Sequence, residues 1–231
     1  MRHLKCSTLH SADESSSTVL GNGFVVIKHA LNEKEQRWLA EYAFGAGKRK
    51  APLGWWKDAD CTELNATPSR GRMYDAIERY PEPDRIRALC LQLVSRCRAV
   101  QPKLPEMDVT HMLLLLYTSA QGMDWHRDSD KNDGDNDHPI VSISLGNSSD
   151  FGYKPLFRGE QVIRLESGDV AVWGGPQRML EHAVLKVHCN TCPPHLRDLI
   201  GDGRINFTFR SARNVLGKEA EFSTEAFPTF S

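Results

Sequence analysis

The sequence predicts an α+β fold: a jelly-roll core (a double-stranded β-helix) behind an N-terminal layer of helices and loop. Three observations carry that prediction. From Asp108 onward apolar residues recur at every second position, the period of a half-buried strand. Turn signals break this pattern at Gly122, Gly134, Gly168-Asp169 and Gly201-Asp202-Gly203, so the strands are many and short. Before Asp108 two stretches show helical spacing instead, and such helices must pack on the outside of a β-sandwich or barrel.

Residues 1–20 are polar and aperiodic, and a flexible lead-in is expected there. Gly23 to Lys28 reads as a short strand. Asn32 followed by Glu35 has the spacing of a capping box, so a helix starts there; Leu39, Tyr42 and Ala43 continue its buried side, and Gly45 and Gly47 stop it. Residues 48–82 are irregular yet carry Trp55, Trp56, Tyr74 and Tyr80, and a loop this long with four large aromatics argues for a functional segment. Pro83 opens a second helix with Ile86, Leu89, Cys90, Leu93, Val94 and Cys97 on one face; Arg85, Arg87, Arg96 and Arg98 fall mostly off it, as a solvated basic surface. Strands are expected at 109–118, 123–128, 139–145, 161–166, 169–174, 180–187 and 203–211. The resulting partition is a lead-in (1–20), a helical and loop layer (21–107), a jelly-roll core (108–213) and a tail (214–231).

A chain of 231 residues, 40% hydrophobic and 26% charged, fits one globular domain with a sizeable core. Its 29 basic residues against 30 acidic ones give a net charge of -1, so bulk electrostatics predicts no polyanion partner; a basic groove would have to be assembled by folding. No apolar run approaches the roughly 20 residues of a membrane span. The polar N-terminus has no signal core, and six scattered cysteines suit a reducing compartment. These features predict a monomeric intracellular protein, nuclear or cytoplasmic, with no membrane contact.

The chemistry centres on Trp125-His126-Arg127-Asp128-Ser129-Asp130. On an extended strand His126 and Asp128 project from one face, which is how a chain offers an imidazole nitrogen and a carboxylate oxygen to one metal ion. His182, just beyond an apolar strand and a tight turn, is the best third ligand. Two histidines and a carboxylate leave open positions on iron, and zinc accepts the same donors. Further on, Arg204-Ile205-Asn206-Phe207-Thr208-Phe209-Arg210 alternates strictly, with the apolar set on one face and two arginines flanking an amide on the other. Guanidinium groups bind carboxylates through paired hydrogen bonds, so this spacing suits a short 2-oxo dicarboxylic acid.

Taken together, Tyr117, His126-Arg127-Asp128-Ser129-Asp130, Pro139 to Gly146, Gly168 to Gly175, His182 and Arg204-x-Asn206-x-Thr208-x-Arg210 resemble the AlkB family of iron- and 2-oxoglutarate-dependent dioxygenases. The likeness runs from about residue 110 to 213 with motif order and spacing intact, and is weaker over 20–107. It implies Fe(II) held by His126, Asp128 and His182. Tyr117, Arg204 and Asn206 would hold the far carboxylate of 2-oxoglutarate, and Arg210 the carboxylate beside the keto group. It further implies a substrate-covering loop layer in which Trp55 and Tyr74 meet the substrate, with Asp130 beside a damaged base. The implied activity uses dioxygen to demethylate N-methylated nucleobases in DNA or RNA, releasing succinate, CO2 and formaldehyde, on a base taken out of its stack. Two departures stand out: Leu115, where bacterial members tend to have an asparagine, and Arg72, where an aromatic residue would be looked for.

Other patterns carry less. Asp128 to Gly134 has its glycine one position late for a calcium loop, and Pro139 stands where the closing glutamate belongs. His188-Cys189-x-x-Cys192-x-x-His195 has zinc-like residue types but is short and contains Pro193-Pro194. Lys48-Arg49-Lys50 reads as a surface cluster. The rival functions are the same oxidation on a protein side chain or lipid, and a non-catalytic nucleic-acid-binding module.

Overall fold

The computed structural model describes residues 16–50, 54–65, 70–128, 136–156 and 158–212. Among these residues eleven strands and three α-helices follow in the order β1 (Ser16–Gly21), β2 (Phe24–Lys28), α1 (Glu33–Gly47), β3 (Arg70–Ala76), α2 (Pro83–Val100), β4 (His111–Tyr117), β5 (Met123–His126), β6 (Ile140–Gly146), β7 (Ser149–Lys154), β8 (Gln161–Leu165), β9 (Val170–Trp173), β10 (Glu181–Val187), α3 (Arg197–Ile200) and β11 (Arg204–Arg210). All strand pairs are antiparallel. They form a seven-stranded sheet, β1-β2-β9-β6-β11-β4-β3, facing a four-stranded sheet, β5-β10-β7-β8. This is the expected jelly roll.

The pleat sorts side chains into two compartments. On one face of the large sheet Leu114, Leu116, Val141, Ile143, Leu145, Ile205, Phe207 and Phe209 pack against α1 and α2, whose inward residues include Leu39, Ala43, Ile86, Cys90 and Leu93. On the other face, between the sheets, lie two smaller apolar clusters. One gathers Phe24, Val26, Phe151, Tyr153 and Trp173; the other gathers Leu113, Leu115, Tyr117, Val184 and Val187. Between them runs the polar face of β11. Its opposite face is buried in the helical core, so the polar residues are forced inward.

The capping box forms as read: Asn32 accepts from the Glu35 amide at 3.0 Å, and Glu35 accepts from the Asn32 amide at 2.8 Å. The arginines of α2 are less free than a solvated surface implies. Arg85 pairs with Glu82, Arg87 with Glu78 and Asp84, and Arg98 with Glu106. These pairs cancel the basic charge locally.

Three strands lie where none was read. β1 occupies the last part of the expected lead-in; residues 1–15 and the tail from 213 onward lie outside the described residues. β3 falls inside the stretch taken as irregular, and β7 lies between two expected strands. β1, β2 and β3 complete the large sheet together with strands of the jelly roll. Among the described residues no helix is long and apolar enough to cross a membrane.

Candidate metal centre and co-substrate cradle

His126 closes β5 and pairs directly with His182, the second residue of β10. That register sets the two imidazoles side by side, with ring centroids 4.3 Å apart. Asp128 follows two residues after His126. Its buried carboxylate lies 3.8 Å from His126 Nε2 and 3.7 Å from His182 Nε2. The three ligand atoms all fall within 4.8 Å of one another, and this is the one such cluster among the described residues.

Each imidazole is held by its own chain. Nδ1 of His126 meets the Asp124 carbonyl at 2.7 Å, and Nδ1 of His182 meets the Leu180 carbonyl at 2.9 Å. A ring that donates from Nδ1 keeps the lone pair on Nε2, the nitrogen facing Asp128, for a metal. Burial pushes the His182 imidazole down to about 4, so it is neutral at pH 7, the form a metal binds. Burial pushes the Asp128 carboxyl the other way, but Arg210, His182, His126 and Arg178 together outweigh it and hold the carboxyl below its ordinary value. Arg210 donates to Asp128 Oδ1, and Arg178 donates to the Asp128 backbone carbonyl. Two imidazoles and one carboxylate on a common face fit Fe(II) with coordination positions to spare.

Beside this cluster lies the inner face of β11. Arg204 pairs in register with Tyr117, its guanidinium 5.3 Å from the phenol ring. It is 1% exposed, and NH2 donates to Ser144 Oγ at 2.9 Å, while Nε and NH1 are buried without a partner. Buried donors left unmade are costly and rare. Two buried guanidinium nitrogens left without a protein partner fit the carboxylate of a bound acid.

The family follows from two matches. The sequence profile of the 2OG-Fe(II) oxygenase superfamily matches residues 23–210. The alpha-ketoglutarate-dependent dioxygenase AlkB of Salmonella typhimurium is 33% identical over 84% of this chain and 92% of its own length. The chain belongs to the AlkB family of 2OG-Fe(II) oxygenases. It is also 34% identical to the DNA N(6)-methyladenine demethylase ALKBH1D of Arabidopsis thaliana, over 46% of this chain, but spans only 26% of that protein. Among solved structures, that of OsALKBH1 superposes with a TM-score of 0.71 over 85% of this chain at 23% identity, a likeness of fold. The family's cofactor and co-substrates are Fe(II), 2-oxoglutarate and dioxygen, and the enzyme class is dioxygenase.

Against this family's layout, the structure gathers His126, Asp128, His182, Tyr117, Arg204 and Arg210 in the space between the two sheets. Asn206 also faces it, but its amide is already engaged: Nδ2 donates to Ser142 Oγ and the Ile143 carbonyl, and Oδ1 accepts from Thr208. Both amide hydrogens of Asn206 are thus engaged within the sheet. Tyr74 lies on the inner face of β3 with its ring stacked on His111, centroids 5.4 Å apart.

Trp55 does not reach the site. It is 1% exposed on the helical side of the large sheet, edge-on to Phe44, and its indole N–H donates to the Leu114 carbonyl. Gly47 and Gly71 leave room for it, since a Cβ at either would come within 2.5 or 2.7 Å of Trp55. The indole fills a core slot because the chain before β3 folds back over that face. Asp130 lies outside the described residues.

Four participants were not singled out from sequence. Ser142 and Ser144 organise Asn206 and Arg204, and their alternation on β6 was a usable signal. Arg178 and His111 carry no pattern: one sits in a turn, the other at a strand end. The histidines of the Cys189–Cys192 loop point apart, His188 pairing with Asp150 and His195 meeting Gln36 and Glu33. Among the described residues no second metal cluster forms there.

Proposed function

We propose that this dioxygenase demethylates N-methylated nucleobases in DNA or RNA inside the cell, releasing succinate, CO2 and formaldehyde. The observation that carries the reading is the presence, between the same two sheets, of a His126-Asp128-His182 cluster and a buried Arg204 guanidinium with two nitrogens unpartnered. The names of the AlkB and ALKBH1D relatives support the substrate class. In this reading His126, Asp128 and His182 hold Fe(II), Arg204 and Tyr117 hold the far carboxylate of 2-oxoglutarate, and Arg210 holds the near one. Asn206 positions Ser142 and Thr208 beneath them. Bound iron with 2-oxoglutarate supplies the oxidising power that inserts one oxygen of dioxygen into the methyl C–H bond.

The protein's own contribution is orientation and exclusion of water. The neutral His182 presents Nε2 without first losing a proton. Arg210 neutralises the Asp128 carboxylate while that site is assembled, and the apolar clusters on both flanks keep bulk water from the reacting centre. Asp130 remains part of the proposal as the acidic residue beside the base, and Tyr74 as an aromatic surface for it.

The deciding measurement is formaldehyde release from methylated oligonucleotides. It should require iron and 2-oxoglutarate, match succinate mole for mole, and vanish in His126→Ala and Asp128→Ala. Unchanged release in either variant rules the reading out.

A further inference from the structure

Behind the metal cluster, on the outer face of the small sheet, runs a second set of contacts. Side chains alternate along a strand, so the chain neighbours of inward-facing His126 and His182 point the other way. Glu181, which precedes His182 on β10, is the centre of this outer set. One of its carboxylate oxygens accepts from Arg127 at 3.1 Å, and the other accepts from Lys154 at 2.5 Å. Arg127 stands in the chain between His126 and Asp128. Lys154 lies directly across from Glu181 on β7, and its ammonium is 4.1 Å from the ring centroid of Trp125. That indole reaches over β7, where a Cβ on Gly152 would come within 2.9 Å of it. Both chain neighbours of His126 are thus tied by their side chains to the strands beyond.

β5 has few other holds. It is four residues long and lies at the edge of its sheet. It pairs with β10 at two positions, His126 with His182 and Met123 with Val184, with an irregularity between them. Two of the three cluster residues, His126 and Asp128, depend on this strand staying docked. The third, His182, sits on a strand paired on both sides. The side chains of Glu181, Lys154 and Arg127 are 28%, 38% and 55% exposed, and ion pairs so open to water add little to global stability. Local opening of a thinly bonded edge strand costs far less than global unfolding, so a modest tether weighs heavily there.

We propose that Glu181 is a positioning residue. Through Arg127 and Lys154 it locks His126 and Asp128 against His182, so that the three ligand atoms form one preorganised metal site. The inference rests on the reading above in which these three residues hold the metal. Glu181 acts on that metal through the strands it joins.

The test combines three measurements on the full chain: Mn(II) titration read by the electron paramagnetic resonance of the free ion, amide hydrogen exchange without metal, and melting temperature. Glu181→Gln should weaken Mn(II) binding on the order of tenfold, the cost of losing a group that orients a ligand. In the metal-free variant the amides of residues 123–128 should exchange severalfold faster, with those of β6 and β11 and the melting temperature unchanged. Arg127→Met should weaken Mn(II) binding too, and adding it to Glu181→Gln should cost nothing more. Arg127→Lys, which keeps a donor and the charge, should bind Mn(II) nearly as wild type does. The sign in Arg127→Met decides between tether and field. If Glu181 acted by its charge alone, removing a nearby cation would tighten metal binding. Tighter binding in Arg127→Met, or unchanged binding in Glu181→Gln, overturns the proposal. So does a melting temperature and β6 exchange that shift along with the affinity. If wild type binds no Mn(II), or His126→Ala binds it as tightly, the metal reading itself falls and this inference with it.

Discussion

Arg204 shows at single-residue scale how a site leaves its mark in a fold. Its charge is buried beside Tyr117, burial works against that charge, and only one of its nitrogens has a partner. Arg204→Met keeps the bulk and removes the donors. We expect 2-oxoglutarate affinity to fall at least roughly 100-fold, since each hydrogen bond to a charged group is worth about 1.5–3 kcal/mol. Metal affinity should hold, and titrations of metal and 2-oxoglutarate separate the two. Trp55 gives the opposite expectation. Trp55→Phe loses the bond to the Leu114 carbonyl and part of a filled slot, so stability should drop by about 1–3 kcal/mol while KM for the oligonucleotide stays unchanged. A raised KM with unaltered stability would return Trp55 to the substrate surface. The triad could be read from the chain because i and i+2 share a face on any extended strand. The side on which Trp55 lies could not, because a loop has no period.

Among the elements, the turn between β8 and β9 is tied to β2 by Asp169, which is fully buried. It accepts from the His29 amide at 2.8 Å and the Glu166 amide at 2.7 Å, and it pairs with Lys28. Asp169→Ala orphans both amides and the lysine, so urea denaturation should show a loss of about 2–4 kcal/mol. Lys28 also binds Glu166 at 2.9 Å. That bond to Lys28 lowers the Glu166 carboxyl from 4.5. For Lys28, burial opposes the charge, but the bonds to Asp169 and Glu166 prevail and raise it from 10.5. A lowered acid stabilises the fold above its unfolded value and loses that contribution as pH falls; a raised base stabilises below its own and loses it as pH rises. The melting-temperature gap between wild type and Glu166→Gln should therefore be constant between pH 4.5 and 10.5 and shrink outside that window. A gap that widens in acid would refute the linkage. Strands β3 and β7 escaped the sequence for one reason. β3 carries Arg70, Arg72 and Tyr74 on its inner face, which hide its alternation, and β7 carries Ser149, Asp150 and Gly152, residues that read as a turn.

For the whole molecule, binding and folding are linked, because the metal and 2-oxoglutarate engage only the assembled cavity. Each ligand at 100 times its Kd should add about 2.7 kcal/mol, a rise of roughly 5–10 °C in melting temperature for a chain of this size. In Arg204→Met the metal's share should persist and that of 2-oxoglutarate should vanish; equal shifts in both proteins would place the acid elsewhere. The sequence alone determined the jelly roll, the metal triad, and the arginines of β11 together with their face. Periodicity of two and of 3.6 is a local property of the backbone, and it survives in the chain as a pattern. Only the tertiary structure decided that Asn206 is spent on its own sheet and that Trp55 belongs to the helical core. It also decided that Arg72 and Arg210 both lie against the ring of Tyr74. Each of these depends on which strand lies next to which, and antiparallel register brings together residues far apart in the chain with no trace in the spacing between them.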